Sequence, residues 1–263
     1  MKSKKITILF TFTLVIALFP FQIGAAGERH MSGEVILNSG TVYLISGNER
    51  LGFRSADEFL ADGYTFDMVV PATDADMALP YTRDVSIRDG SLVLDLADNQ
   101  TIYLIYAGIA RPVAIPAFAG TLGTEQRIVY QADLSLYARG AEISFDFFYA
   151  ARPKGSLIDN SGTVYLAKDS GLAPFPSEAI FRSHGYNFDM VLQVNPAEMK
   201  RPVVEAMRYR DGSIIDDAGT VYLIAGVEKW GFKTWEGYLS RGYSPKAILQ
   251  GTTQGYILAG TYE

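Results

Sequence analysis

One phrase, written four times along the chain, limits what it can fold into more than any other feature. Gly40-Thr41-Val42-Tyr43-Leu44-Ile45 returns as Gly162-Thr163-Val164-Tyr165-Leu166 and as Gly219-Thr220-Val221-Tyr222-Leu223-Ile224, and a worn copy reads Gln100-Thr101-Ile102-Tyr103-Leu104-Ile105. The tyrosines Tyr43, Tyr103, Tyr165 and Tyr222 are 60, 62 and 57 residues apart. The register holds beyond the phrase. Ten residues after each tyrosine come Phe53, Val113, Phe175 and Phe232, and twenty after come Gly63, Gly123, Gly185 and Gly242. Repetition at a fixed period marks an array of like structural units.

Each unit can be read from its own residues. Asp89-Gly90-Ser91, Lys154-Gly155-Ser156 and Asp211-Gly212-Ser213 each open a short apolar strand, with Gly33-Glu34-Val35 as the counterpart in the first copy. A turn rich in Asn, Asp, Ser and Gly then leads into the strand that carries the tyrosine, the pattern of a hairpin. A second turn at Gly47, Gly108, Gly171 or Gly226 precedes a third strand that ends near the Phe53 position. Ser55, Ser177 and Thr234 share the next slot and can accept the free amides of a first helical turn. Ser55 with Glu58 fits a capping box. The helix is expected to last about two turns, with Phe59, Phe181 or Tyr238 inward and with Gly63, Gly185 or Gly242 as the left-handed residue that ends it. A strand at Val69–Val70 or Val191–Val194 closes the unit.

The expected fold class is therefore α+β and β-rich: four tandem β-β-β-α-β repeats over 33–88, 89–150, 153–210 and 211–263. A unit of this size lacks the core to stand alone without a disulfide or metal, so the copies must bury faces against one another. Two arrangements satisfy that need, paired modules and a four-bladed propeller-like ring, and the pairing is preferred. The second copy departs from the pattern. Ile115 replaces the cap, Pro112 and Pro116 interrupt the approach, and Ala119 replaces the inward aromatic, so its helix is expected to be frayed or absent. Ile143 to Tyr149, dense in aromatics, is expected to cover the joint between copies two and three.

Composition matters chiefly for address. Lys2, Lys4 and Lys5 precede an apolar run from Ile6 to Phe21, and Gly24 and Ala26 supply the small residues of a cleavage site, so residues 1–26 read as a signal peptide. The expected location is secreted or cell-surface. The run is short of the ~20 residues that span a bilayer, which argues against membrane insertion after cleavage. The chain has no cysteine and 48% hydrophobic residues, so an exported fold of this kind must be stabilised by packing alone. Three of the 23 basic residues precede the cleavage site, which leaves 20 against 29 acidic ones. That balance argues against a nucleic acid partner.

A search for chemistry finds little. No cysteine nucleophile, Gly-x-Ser-x-Gly elbow, His-Glu-x-x-His helix or phosphate loop occurs. His30 reads as part of a flexible arm, and His184 as a helix-end residue whose cationic form the dipole favours. Asp74 with Asp76, and Asp216 with Asp217, lack the spacing of a calcium loop and read as turn residues. No metal or cofactor is expected. Trp230 and Trp235 occupy the slots of Leu51 and Ala56 in the first copy, and their departure from the repeat makes them the candidate binding residues.

Asp211-Gly212-Ser213-Ile214-Ile215, Gly219 to Ile224, Lys229-Trp230-Gly231-Phe232 and Gly242-Tyr243 together resemble a tandem repeat of secreted bacterial surface proteins, found alone or beside cell-wall hydrolase and peptidase domains. The resemblance spans nearly all of 33–263. It implies location and repeat architecture, not an activity. The layout of hairpin, third strand and small helix is also similar to hemopexin-type blades, without their motif residues. The expected function is a non-enzymatic binding or structural role at the cell envelope, with wall glycan or another envelope protein as partner. The alternatives are a carboxylate-based wall or polysaccharide hydrolase, and an accessory or inhibitor subunit of a secreted peptidase.

Overall fold

The structure, a computed structural model, describes residues 27–113, 129–143 and 151–263. The expected signal peptide, the degenerate second helix with Ile115, Pro116, Ala119 and Gly123, and the aromatic segment after Ile143 lie outside these residues.

Unit 1 shows the pattern in full. β1 (Val35–Asn38), β2 (Thr41–Ser46) and β3 (Glu49–Gly52) form an antiparallel meander, α1 (Ala56–Ala61) follows, and a 3-10 turn at Phe66–Met68 leads into β4 (Val69–Pro71). β4 pairs parallel to β1, with Val35 opposite Val69. The helix thus serves as the crossover that a parallel return needs. A short helix α2 (Asp74–Met77) and a fifth strand β5 (Tyr81–Asp84) complete the unit, and β5 pairs parallel to β3, so the sheet order is β4-β1-β2-β3-β5. This fifth strand has no counterpart in the β-β-β-α-β reading.

The other units repeat this order. Unit 2 has β6 (Leu92–Asp95), β7 (Ile102–Tyr106), β8 (Ile109–Pro112), β9 (Val129–Ala132) and β10 (Ala138–Arg139) in one sheet. Unit 3 has β11 (Leu157–Asn160), β12 (Thr163–Lys168), β13 (Gly171–Pro174), α3 (Glu178–Ser183) and β14 (Val191–Gln193), with one parallel bridge, Leu172 to Val203, in place of a fifth strand. Unit 4 has β15 (Ile214–Asp217), β16 (Thr220–Ala225), β17 (Glu228–Phe232), α4 (Trp235–Ser240), β18 (Ile248–Gln250) and a six-residue β19 (Ile257–Tyr262).

Local chemistry explains these elements. The first hairpins turn on Ser39-Gly40, Ser161-Gly162 and Ala218-Gly219, both residues of each pair having positive φ. That is the geometry of a two-residue turn whose twist matches the flanking strands. Ser55, Ser177 and Thr234 accept the amides of Glu58, Ile180 and Gly237 as helix caps. The expected capping box at Ser55 is not completed, because Arg54 takes both carboxylate oxygens of Glu58. A full capping box forms instead at Thr73 and Asp76 of α2.

Every sheet has two faces to bury. On the first, the unit's own helix closes the core: Val35, Leu51, Phe53, Phe59 and Tyr64 pack together in unit 1, and Leu157, Phe175, Phe181 and Met190 in unit 3. In units 1, 2 and 4 the second face is covered by another unit. Ala61 of α1 packs with Val93, Ile105 and Ala132 of unit 2, and Ala179 and Ile180 of α3 pack with Ile215 and Ile224 of unit 4. Ile36, Ile45 and Val70 of unit 1 share a cluster with Tyr238 and Tyr243 of unit 4, and the Tyr243 hydroxyl donates to Glu34.

The units alternate in detail. Ahead of the first strand in units 1 and 3, the His30 and Arg152 amides donate to the buried carboxylates of Asp76 and Glu198. At the same place in units 2 and 4, the Ile87 and Tyr209 amides donate to the hydroxyls of Tyr137 and Tyr256. Units 1 and 2 therefore correspond to units 3 and 4 as pairs.

Candidate binding surfaces

The two tryptophans have different environments. Trp230 on β17 is half-buried against the unit 4 core, 5.8 Å from the Tyr262 ring. Gly260 of β19 makes room for it: a Cβ at that position would fall 2.5 Å from Trp230 Cζ3. The expectation that Trp230 is a surface residue is corrected to a half-buried one, because its ring packs against Gly260 and Tyr262 of the neighbouring strand β19. Trp235, the first residue of α4, is 46% exposed and stacks on the inward Tyr238 with centroids 5.0 Å apart and planes 16° from parallel.

Two rings at a different repeat position, which the sequence reading missed, are placed similarly against the core. Phe66 is 54% exposed and lies on the inward Phe59 at 5.0 Å, and Phe188 is 46% exposed and stacks on the inward Phe181 at 4.8 Å. Both begin a Phe-Asp-Met triplet three residues after the helix-ending glycine. The signal was therefore available as a second, shorter repeated phrase. Units 1, 3 and 4 each present to solvent a ring that lies against a ring of the unit's own core.

The repeat positions serve packing. Phe53, Phe175 and Phe232 are buried. Tyr43, Tyr103, Tyr165 and Tyr222 are only half-buried, at the rim of the second face. Arg50 covers the ring of Tyr43, Arg139 that of Tyr103 and Lys229 that of Tyr222. Gly63, Gly185 and Gly242 all have positive φ, as expected for residues that end helices. Gly63 and Gly185 meet across the seam between units 1 and 3, where a Cβ on Gly185 would fall 2.1 Å from the Gly63 oxygen.

Charged groups at this seam repeat the pairwise relation. Arg210, leading into unit 4, lies 3.3 Å over the Tyr64 ring of unit 1 and bonds the Asp62 carbonyl and carboxylate. Arg88, leading into unit 2, lies 4.3 Å over the equivalent Tyr186 of unit 3 and bonds the His184 carbonyl. His184 is the cap of α3, but burial and the neighbouring Arg210 and Arg88 push its imidazole down to about 4, against one hydrogen bond to the Arg208 carbonyl. The ring is neutral at pH 7, contrary to the helix-end expectation, because desolvation and two guanidinium groups outweigh a single turn's dipole. An open cleft of about 450 Å³ borders this seam, with Arg88, Lys154, Lys168, Asp89, Asp169 and Tyr186 in its walls. Lys154 reaches Asp89 at 3.2 Å and Asp169 at 4.0 Å, so much of that charge is already paired.

The acidic candidates hold structure together. His30 is not in a flexible arm: it is buried, and its Nδ1 lies 2.7 Å from Asp76 Oδ2. Burial favours a neutral Asp76, but hydrogen bonds from His30 and Thr73 outweigh it and hold the carboxyl at about 2. Asp216 accepts from the Gly219 amide and from Gln250, and Asp217 from the amide and hydroxyl of Thr253. Among the described residues no three His, Cys, Asp or Glu side chains are grouped to hold a metal, and no helix is long and apolar enough to cross a membrane.

No protein-family model and no curated protein matches the chain in sequence. Similarity to solved structures is at a low level, and two of them serve as examples. A chain from the structure of the periplasmic assembly of the ESX-5 inner membrane complex is 11% identical, with 92% of this chain and 96% of that chain covered at a TM-score of 0.18. A chain from an intact ESX-5 inner membrane complex is 11% identical, with 91% and 81% covered at a TM-score of 0.17.

Proposed function

We propose that this chain is an exported, non-enzymatic repeat protein that works at the cell envelope by presenting aromatic rings to a wall glycan or an envelope protein. The observation that carries the reading is the recurrence, in three of the four units, of an exposed ring laid on a core ring: Phe66, Phe188 and Trp235. A ring held in this way loses little conformational freedom on binding, and a flat apolar face suits a sugar ring or a partner side chain. The apolar run at Ile6–Phe21 with Lys2, Lys4 and Lys5 ahead of it supports export. The contacts of unit 4 with unit 1 favour units closed into a ring over two pairs in a row, which would point the three rings in different directions and suit a multivalent partner.

The test is sedimentation of the purified protein with isolated cell wall and, separately, with membranes. Trp235→Ala is expected to reduce the bound fraction and Phe66→Ala with Phe188→Ala to reduce it further, each leaving the thermal midpoint within a few degrees. Trp230→Ala, which opens the core beside β19, is expected to lower the midpoint instead. Retention of full binding by the triple ring variant removes the proposal. Release of reducing sugars from the wall by the unmodified protein would replace it with a hydrolase.

A further inference from the structure

Two arginines join the halves of the chain through equivalent residues, but only one of them has a carboxylate. Tyr64 in unit 1 and Tyr186 in unit 3 occupy equivalent positions, as do Arg88 and Arg210 ahead of units 2 and 4. Arg210 covers Tyr64 and bonds both the carbonyl and the carboxylate of Asp62. Arg88 covers Tyr186 and bonds only the carbonyl of the residue equivalent to Asp62, because that residue is His184. The imidazole brings no negative charge. Its Nε2 lies 2.8 Å from the Arg208 carbonyl and donates to it, and burial, followed by the charges of Arg210, Arg88 and Lys168, disfavours its cationic form. Asp62 senses the charge of Arg88 too, but its hydrogen bonds go to Arg210.

The open cleft beside Arg88 widens the difference. Lys154 and Lys168 line it, where unit 1 has Ser32 and Ser46 at the equivalent positions. Lys154 is shared between Asp89 and Asp169. Lys168, half-buried at the end of β12, makes no hydrogen bond or ion pair through its side chain among the described residues. A cation held partly out of water without a partner costs free energy that an incoming anion would recover. The chain carries a formal charge of −6, yet the walls of this cleft hold three cations against two carboxylates.

We infer that the cleft between units 2 and 3 binds an acidic peptide, an aspartate of which takes the place beside Arg88 that Asp62 holds beside Arg210. A guanidinium fork matches a carboxylate in geometry as well as in charge, and Lys168 adds a second cation within the same walls. A volume of about 450 Å³ admits a few residues of a peptide. The fold supplies the template for the occupant: the carboxylate on the equivalent guanidinium belongs to an aspartate followed by a glycine, Asp62-Gly63, which favours a polypeptide over a sugar acid. The site shares no residue with the exposed rings Phe66, Phe188 and Trp235.

Fluorescence anisotropy of a labelled peptide, Ala-Asp-Asp-Gly-Ala with both ends blocked, is expected to show saturable binding to the purified protein that weakens as salt is added. Lys168→Ser, which brings in the residue that unit 1 has there, is expected to weaken binding about tenfold or more. Lys246→Ser, which removes an exposed lysine of unit 4 and changes the net charge equally, should leave it unchanged. His184→Asp supplies the missing carboxylate from within the chain and is expected to exclude the peptide while the protein stays folded in thermal melts; should that variant fail to fold, Lys168→Ser decides. Absence of saturable binding overturns the inference, as does equal binding by Lys168→Ser, by a folded His184→Asp, or of the same peptide with Asn in place of Asp. Tighter binding of an oligouronate than of the peptide would assign the cleft to an acidic glycan and likewise overturn it.

Discussion

Alanine is a poor choice where the chain must turn left-handed, and among the described residues it stands there twice, at Ala107 and Ala218, each with φ of 53°. The residues equivalent to Ala218 in units 1, 2 and 3 are Ser39, Asn99 and Ser161. A side chain that can bond its own backbone tolerates this conformation better. Ala218→Asn is therefore expected to raise stability by about 0.5–1 kcal/mol, measured by urea unfolding. Asp76 sets a different expectation. Its carboxyl is held at about 2 in the folded chain against an ordinary 3.8, so its ionised form contributes stability that is fully present above 3.8 and is lost as pH falls through about 2. The stability difference between the unmodified protein and Asp76→Asn should thus be flat from neutral pH down to about 5 and shrink below that. A difference that grows on acidification would contradict the His30–Asp76 assignment.

Within each unit the repeat could be read almost directly. Spaced tyrosine, phenylalanine and glycine predict three strands, a capped helix and a return strand because each element follows from local chemistry: hairpin turns, N-caps at Ser55, Ser177 and Thr234, and glycines with positive φ. The fifth strand could not be read, since Tyr81–Asp84, Ala138–Arg139 and Ile257–Tyr262 share no residue pattern and are strands only because β3, β8 and β17 offer them an edge. That omission also misplaced Trp230, which packs against Gly260 and Tyr262 of β19. Glycines test how far local reasoning reaches. Gly47 and Gly185 have similar φ, 59° and 68°, but an added Cβ meets nothing at Gly47 and the Gly63 backbone at Gly185. Gly47→Ala is expected to cost about 1 kcal/mol of conformational strain. Gly185→Ala should cost about 3 kcal/mol or more, because two units must move apart, and equal losses at the two sites in thermal melts would show the seam to be loose.

At the scale of the whole molecule, the partner of unit 1's second sheet face, unit 4, came from far along the chain, which no local pattern encodes. Arg210 illustrates the point: a residue leading into unit 4 stacks on Tyr64 and bonds Asp62 in unit 1. Arg210→Ala leaves Asp62 in a seam that disfavours its charge, and is expected to cost about 2–4 kcal/mol in chemical unfolding. Arg208→Ala, which loses only a solvent-exposed pair with Glu205, should stay within about 0.5 kcal/mol. The alternation of units carries a further consequence. Because Arg88 meets Tyr186 as Arg210 meets Tyr64, one half of the polypeptide offers the other the same docking features that it receives. Two separate, identical half-length chains would already own the complementary parts of such a particle. What the continuous backbone contributes is tethering: it turns a bimolecular encounter into an intramolecular one at millimolar effective concentration, and so frees each half to diverge without losing its mate.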